Sequence, residues 1–272
     1  MARGGAVVRR VAALCFVWGA AILSVFPFIW MAIGATNTST EITKGRFLPG
    51  SELWANFVRL TGQTDLPLVF WNSSKIALLS AILSVIVASL AGYGFEVFRS
   101  RFRERLYQLL LITMMVPFAA LMIPLFLLCG YLGLIDTHAG VIAPTMASAY
   151  LVFYFRQSSK AFPAELREAA RVDGLKEWQI FFFIFVPVMR STFAAAFVIA
   201  FLTAWNSFLW PLIVLQSPKT KTITLLLSSL GSAYFPDYGV IMVATALATL
   251  PTLVVFFAMQ RLFVQGLLGS IK

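Results

Sequence analysis

Residues 76–95 read IALLSAILSVIVASLAGYGF, twenty consecutive positions without an Asp, Glu, Lys or Arg. A helix rising about 1.5 Å per residue needs about that many to cross a hydrocarbon layer of about 30 Å. Outward from this stretch, comparable uncharged runs recur at 11–40, 106–135, 137–155, 191–218 and 238–260. A seventh run, 178–189, has only twelve residues and suits an interfacial or re-entrant piece. Composition agrees: the 272 residues are 60% hydrophobic and 12% charged, with a mean hydropathy of +0.87, against about 25% charged residues in soluble domains. The expected fold is an all-α membrane protein of six transmembrane helices, at about 11–33, 74–97, 106–130, 138–156, 191–215 and 238–260. These form one domain over 1–272, since too little chain remains for a soluble one.

The net charge of +10 invites a nucleic-acid reading, but the placement of the basic residues argues otherwise. Arg3, Arg9 and Arg10 precede the first run; Arg99, Arg101, Arg103 and Arg105 lie between the second and third. Arg156, Lys160, Arg167, Arg171, Lys176 and Arg190 lie between the fourth and fifth, and Arg261 and Lys272 follow the sixth. The alternate loops hold only Lys44, Arg46, Arg59, Lys75, Lys219 and Lys221. Positive-inside bias therefore places both termini in the cytoplasm and accounts for the charge without nucleic acid. The first run is longer than a signal-peptide core, so an uncleaved helix is expected.

Few residues offer chemistry. His138 stands beside Asp136 as a solvated loop histidine, and a single imidazole makes no multi-ligand metal site. Cys15 and Cys129 fall in different spans as small apolar fillers. Gly45 to Gly50 has phosphate-loop spacing, but Ser51 and Glu52 follow where Lys and Ser or Thr are required. The triplets beginning at Asn37 and Asn72 match a glycosylation acceptor too short to carry weight. No span holds a pair of acidic residues, which argues against an ion-coupled secondary carrier, and no catalytic constellation suggests an embedded enzyme. The chain carries no energy source of its own.

The longest interruption, 156–190, contains AFPAELREAARVDG at 161–174. Pro163 fits a first helical turn, Glu165 and Glu168 lie toward the positive end of the helix dipole, Arg167 and Arg171 toward the negative end, and Gly174 suits a left-handed stop. A second helical piece begins at Leu175-Lys176-Glu177-Trp178 and runs through the Phe-rich segment to Pro187. Small Ala169 and Ala170 permit close approach. On physical grounds a plain interfacial amphipathic helix accounts for this loop as well as a partner-docking element does. In the fifth span, Trp205, Asn206 and Phe208 combine ring faces with an amide, which suits a sugar in a transport pathway; packing and interhelical bonding account for such residues too. Pro27, Pro117, Pro124, Pro144, Pro211 and Pro251 permit kinks.

EAARVDGLKEWQIFFFIFVP, residues 168–187, resembles the EAA loop of the membrane subunits of ATP-binding-cassette importers. Glu168, Ala169, Ala170, Gly174, Ile184 and Pro187 match its pattern at full spacing, with Val186 where Leu is usual. Asn72-Ser73, the Arg-rich loop after Tyr93, Met115-Val116-Pro117, Ile123-Pro124-Leu125, Ala204 to Pro211 and Val264-Gln265-Gly266-Leu267 look like the carbohydrate-importer branch, the maltose-type second permease. The tail Leu268 to Lys272 is shorter than that branch's usual one. The resemblance implies a bacterial inner-membrane permease subunit, not an enzyme, with loop 160–187 as a cytoplasmic coupling helix-turn-helix between helices 4 and 5. The implied partners are a second, non-identical permease, two ATPase subunits that hold ATP and Mg, and an extracytoplasmic binding protein. The implied coupling residues are Glu168, Ala169, Ala170, Asp173, Gly174, Ile184 and Pro187. The implied cargo is an oligo- or disaccharide, with glycerol-3-phosphate or another polyol as the alternative. The implied chain binds no cofactor or metal itself.

Overall fold

The computed structural model describes residues 2–269, with all regular structure among them helical. Ser270, Ile271 and Lys272 of the shortened tail lie outside the described residues, as do the side chains of Gln265, Gly266 and Leu267. The helices are α1 (Ala2–Gly34), α2 (Ser39–Thr43), α3 (Leu53–Gln63), α4 (Leu66–Val97), α5 (Arg101–Thr113), α6 (Phe118–Tyr131), α7 (His138–Ile142) and α8 (Ala149–Ser159). They continue as α9 (Ala164–Val172), α10 (Glu177–Ile180), α11 (Val186–Val188), α12 (Arg190–Trp205), α13 (Leu209–Val214), α14 (Ile223–Gly231) and α15 (Tyr238–Gly269).

Three described helices are long and apolar enough to cross a membrane: Arg9–Gly34 within α1, α4, and Tyr238–Leu262 within α15. Three bent pairs pass the same test together: α5 with α6 (101°), His138–Thr145 with α8 (41°), and Glu177–Val188 with α12 (82°). The run expected as a span over 106–130 holds the break between α5 and α6, that over 138–156 the break before α8, and that over 191–215 the break between α12 and α13. Pro117, at ψ 133°, separates α5 from α6, because proline lacks an N–H and disfavours helix at the preceding residue. Pro144 lies in the tight turn Ala143–Thr145, after which the Ser148 hydroxyl accepts from the Leu151 N–H at 3.3 Å to start α8. α12 ends at Trp205, and the carbonyl of Ser207 takes the Thr224 hydroxyl at 2.8 Å. In a bilayer such freed backbone groups require internal partners. The helix expected from 74 begins at Leu66.

The chain divides into two compact units. The first joins the segment up to Leu66 with Leu227–Leu250. Its interior joins apolar residues such as Ile42, Leu60 and Val240 to a polar cluster. Asn56, fully buried, donates to the carbonyls of Ala35 (2.8 Å) and Asn37 (3.0 Å). Asp237 accepts from Ser39 Oγ (2.9 Å) and from the N–H groups of Gly239 and Val240, opening α15, and pairs with Arg59 Nε at 3.1 Å. Gly239 has no room for a side chain, since a Cβ would press on Asn56 and the Asn37 carbonyl.

The second unit holds Pro67–Leu226 and the chain from Pro251. Ile76, Cys129, Val141, Ile142, Trp210, Val214, Leu215 and Leu225 form one of its apolar clusters, with Trp210 Nε1 donating to the Gly140 carbonyl at 3.1 Å. Cys129 is thus a buried filler, whereas Cys15 is exposed on α1. Asn72 donates to the carbonyls of Lys219 (2.9 Å) and Lys221 (3.1 Å), and Ser73 Oγ accepts from the Ile223 N–H at 2.7 Å. Asp136, at φ +58°, takes the Gln216 N–H (2.9 Å), the Ser217 N–H (3.0 Å) and the Thr220 hydroxyl (2.6 Å) on one oxygen.

Those donors, the Thr220 hydroxyl first, hold the Asp136 carboxyl well below the usual carboxylate range. Its stabilisation is complete above the unfolded value, about 4, and fades as pH falls through the lower folded value. Asp136→Asn tolerates the same backbone conformation. The variant is expected to melt below the native protein at pH 7 in detergent, with the gap closing as the solution is acidified below about pH 4.

Candidate functional site

The EAA-like segment folds as α9, a tight stop, and α10. Pro163 lies just ahead of α9 rather than within its first turn, and supplies no side-chain cap. At the far end the Leu175 N–H reaches the Ala170 carbonyl and the Gly174 N–H the Arg171 carbonyl, both at 3.0 Å, with Gly174 at φ +82°. This paired pattern with a left-handed glycine is the Schellman stop. The Gln179 side-chain oxygen accepts from the Lys176 N–H at 2.8 Å and starts α10.

α9 presents Glu165, Glu168, Ala169 and Val172 outward, with Val172 88% exposed; Asp173 and Gly174 are exposed beyond them. Ala170 turns inward and is buried, so of the two alanines only Ala169 lies on the open face. Ala170's small size serves the approach of α9 to its own scaffold. Ile184 is half-buried and Pro187 exposed, some distance along the chain from that face.

An aromatic anchor fixes the segment to α4. Tyr93 meets Phe181 (5.2 Å between centroids) and Phe185 (4.8 Å), and Phe162 meets Phe185 (5.3 Å). Glu177 joins the parts: Arg171 donates to its Oε1 at 2.5 Å and the Tyr93 hydroxyl to its Oε2 at 3.4 Å. Nearby, Arg156 is 7% exposed. It donates to both Glu104 oxygens (2.6 and 3.3 Å), lies 3.6 Å from Glu96, and covers the Tyr107 ring at 3.8 Å. α4, α5 and α8 are thereby tied at one guanidinium. In the sequence Arg156 reads only as a topological charge; its place directly after an uncharged run is the available signal. Gly92 is needed where α4 meets α8, because a Cβ there would press on Phe155 and the Arg156 backbone.

The proposed pathway residues are dispersed. Trp205 is buried and stacks on Phe201 (5.9 Å, 18°), while Phe208 packs against the Trp210 core. Asn206 is exposed, its amide donating to the Leu202 carbonyl at 2.8 Å. A cavity of about 340 Å³ has a mostly apolar wall that also carries hydroxyls the sequence does not announce, those of Ser80, Ser84, Thr145, Ser148, Thr203 and Ser207, beside Phe118 and Tyr150. These hydroxyls are spread over three distant chain segments, so no local pattern announces them. Ser84 donates to the Thr145 carbonyl (2.7 Å) and Thr145 to Ser80 Oγ (3.2 Å). His138 is not a solvated loop residue: it opens α7, half-buried, with Nε2 shielded from solvent. Among the described residues no group of three His, Cys, Asp or Glu could hold a metal ion.

Residues 80–269 match the family described as "Binding-protein-dependent transport system inner membrane component", and the chain belongs to that family. It is a multi-pass membrane protein and a transport-system subunit rather than an enzyme. The lactose transport system permease protein LacG of Rhizobium radiobacter is 65% identical over 253 residues, 93% of each chain. The arabinooligosaccharides transport system permease protein AraQ of Bacillus subtilis is 36% identical, covering 97% of this chain and 96% of its own. The sn-glycerol-3-phosphate transport system permease protein UgpE of Agrobacterium fabrum is 35% identical over 98% of each. Among solved structures, a bacterial ABC transporter involved in the import of the acidic polysaccharide alginate shares the fold, with a TM-score of 0.81 at 20% identity, over 93% of this chain and 96% of that one.

A Cβ on Gly174 would meet open space, so the cost of Gly174→Ala is conformational alone. We expect a loss of about 1 kcal/mol in the helix stop, read as roughly fivefold faster hydrogen exchange at the Gly174 and Leu175 amides.

Proposed function

We propose that the chain is one of two non-identical permease subunits of an ATP-driven carbohydrate importer in a bacterial inner membrane. In this reading 1–272 is a single transmembrane domain. Each bent helix pair counts as one span, giving six, and both termini lie in the cytoplasm, a reading supported by the basic-residue distribution. The other partners are two cytoplasmic ATPase subunits and an extracytoplasmic binding protein that delivers the sugar.

The observation that carries the proposal is α9, a short, firmly stopped helix whose acidic and apolar side chains stand outward from a rigid base. Such a face suits docking into a groove of the ATPase subunit, with Glu168 and Asp173 meeting basic partner residues and Val172 supplying apolar contact. ATPase closure then rocks the spans between inward- and outward-facing states, a two-state element biased by nucleotide. Gly174, Glu177 and the Tyr93–Phe181–Phe185 cluster keep the joint stiff, so the displacement is transmitted.

A disaccharide or short oligosaccharide is favoured as cargo by the lactose and arabinooligosaccharide permeases among the relatives. The hydroxyl-bearing cavity supports the same choice over a phosphate ester. It offers hydrogen bonds and two ring faces, and no Lys or Arg is among its described lining. Trp205, Asn206 and Phe208 then serve the pathway by shaping the α12–α13 break next to Ala204 and Ser207, which line the cavity.

Co-reconstitution with the partner permease, ATPase and binding protein tests both halves. Glu168→Lys is expected to retain permease pairing while losing most sugar-stimulated ATP hydrolysis. The native complex is expected to take up labelled lactose or arabinooligosaccharide, and glycerol-3-phosphate at background level. Preferential glycerol-3-phosphate uptake overturns the cargo assignment, and undiminished hydrolysis in the variant overturns the docking assignment.

A further inference from the structure

A second cavity, of about 400 Å³, opens where the ends of α4 and α8 meet the first turn of α9. Its wall includes Glu96, Arg99, Ser159, Lys160, Ala164 and Arg167. Three cations and one carboxylate leave a net charge of +2. Glu96 is already committed, paired with Arg99 and 3.6 Å from Arg156. Lys160 and Arg167 enter no ion pair among the described residues, and Arg167 Nε is buried without a hydrogen bond there. A desolvated guanidinium N–H of this kind is costly unless an acceptor reaches it.

Two further features favour an anion. Ala164 is the first residue of α9, and Pro163 ahead of it offers no side-chain cap, so the positive end of the helix dipole adds to the field of the cations. The Ser159 hydroxyl is spent on the Phe155 carbonyl at 2.7 Å, which leaves the cations as the dominant donors. The volume exceeds what a chloride needs and suits a tetrahedral oxyanion with a substituent.

We propose that this cavity binds a phosphate-type oxyanion, supplied either by the headgroup of an anionic phospholipid or by free phosphate. Basic pockets between spanning helices at the cytoplasmic surface are physically suited to such headgroups. The lipid source rests on the membrane orientation given under Proposed function; the free-anion source does not. Because Arg167 and Ala164 belong to α9, an occupant bridges that helix to α4 and α8 and stiffens it.

The test uses the full-length chain in nanodiscs of phosphatidylcholine with or without phosphatidylglycerol, and in detergent with inorganic phosphate. Native mass spectrometry counts retained lipid, and calorimetry follows phosphate. Lys160→Gln with Arg167→Gln is expected to weaken binding about fivefold per cation removed, with Arg167→Lys restoring part of it as a check on folding. Phosphatidylglycerol retained by the native chain, lost in the double variant and not displaced by phosphate assigns the lipid. Saturable phosphate binding lost in the double variant, without lipid enrichment, assigns the free anion. Equal binding by native and double-variant chains, or binding by neither, overturns the proposal. Binding is read without transport, so failure of sugar uptake leaves this result intact and the reverse holds too.

Discussion

A bilayer offers no hydrogen bonds, and this constraint shapes the chain more than any attractive contact does. Wherever a helix stops at membrane depth, its freed groups must be met from within. The break after Trp205 is met by Thr224 on the Ser207 carbonyl, and the one before α8 by the Ser148 hydroxyl. Polar interiors between the spans follow a related rule. Asn56 in the first unit and Asn72 and Ser73 in the second are buried where each closes backbone groups that the fold shuts off from water. These contacts join segments more than a hundred residues apart in the second unit, so they fix tertiary arrangement as well as local geometry.

Arg156 applies the constraint to charge. A guanidinium near the end of an apolar run is tolerated because Glu104, Glu96 and the Tyr107 ring surround it. The energetic gain over an apolar residue is modest by this logic. What the cluster supplies is register: α4, α5 and α8 meet at one residue, adjacent to the aromatic anchor that seats α9 and α10. Arg171 and Glu177 extend the network into the stop itself. A rigid base thus stands under an exposed helix.

The all-helical class, the apolar runs and the helix-stop-helix at 164–180 were legible in the sequence. Uncharged length reports on lipid burial, and Gly174 with flanking charges reports on a helix end. The breaks were only half legible. Pro117 and Pro144 announce interruption, but nothing local announces that α12 ends at Trp205. The inward turn of Ala170, the dispersal of Trp205, Asn206 and Phe208, and the half-burial of His138 were not legible, because helical facing depends on what lies opposite. The cavity with its hydroxyls was invisible for the same reason: Ser80, Thr145, Ser148 and Thr203 meet only after three distant segments fold together.

α1 differs from every other long helix here. None of its most apolar eighteen-residue window is buried within the chain, whereas more than half of the corresponding window of α4 is. α4 is therefore held to a particular order of large and small residues, with Gly92 at its closest crossing. Within this chain α1 is held only to an average. Exchanging two of its apolar residues, such as Leu23 and Phe16, alters no interior shape, so the information in that stretch is a solubility rather than a fit.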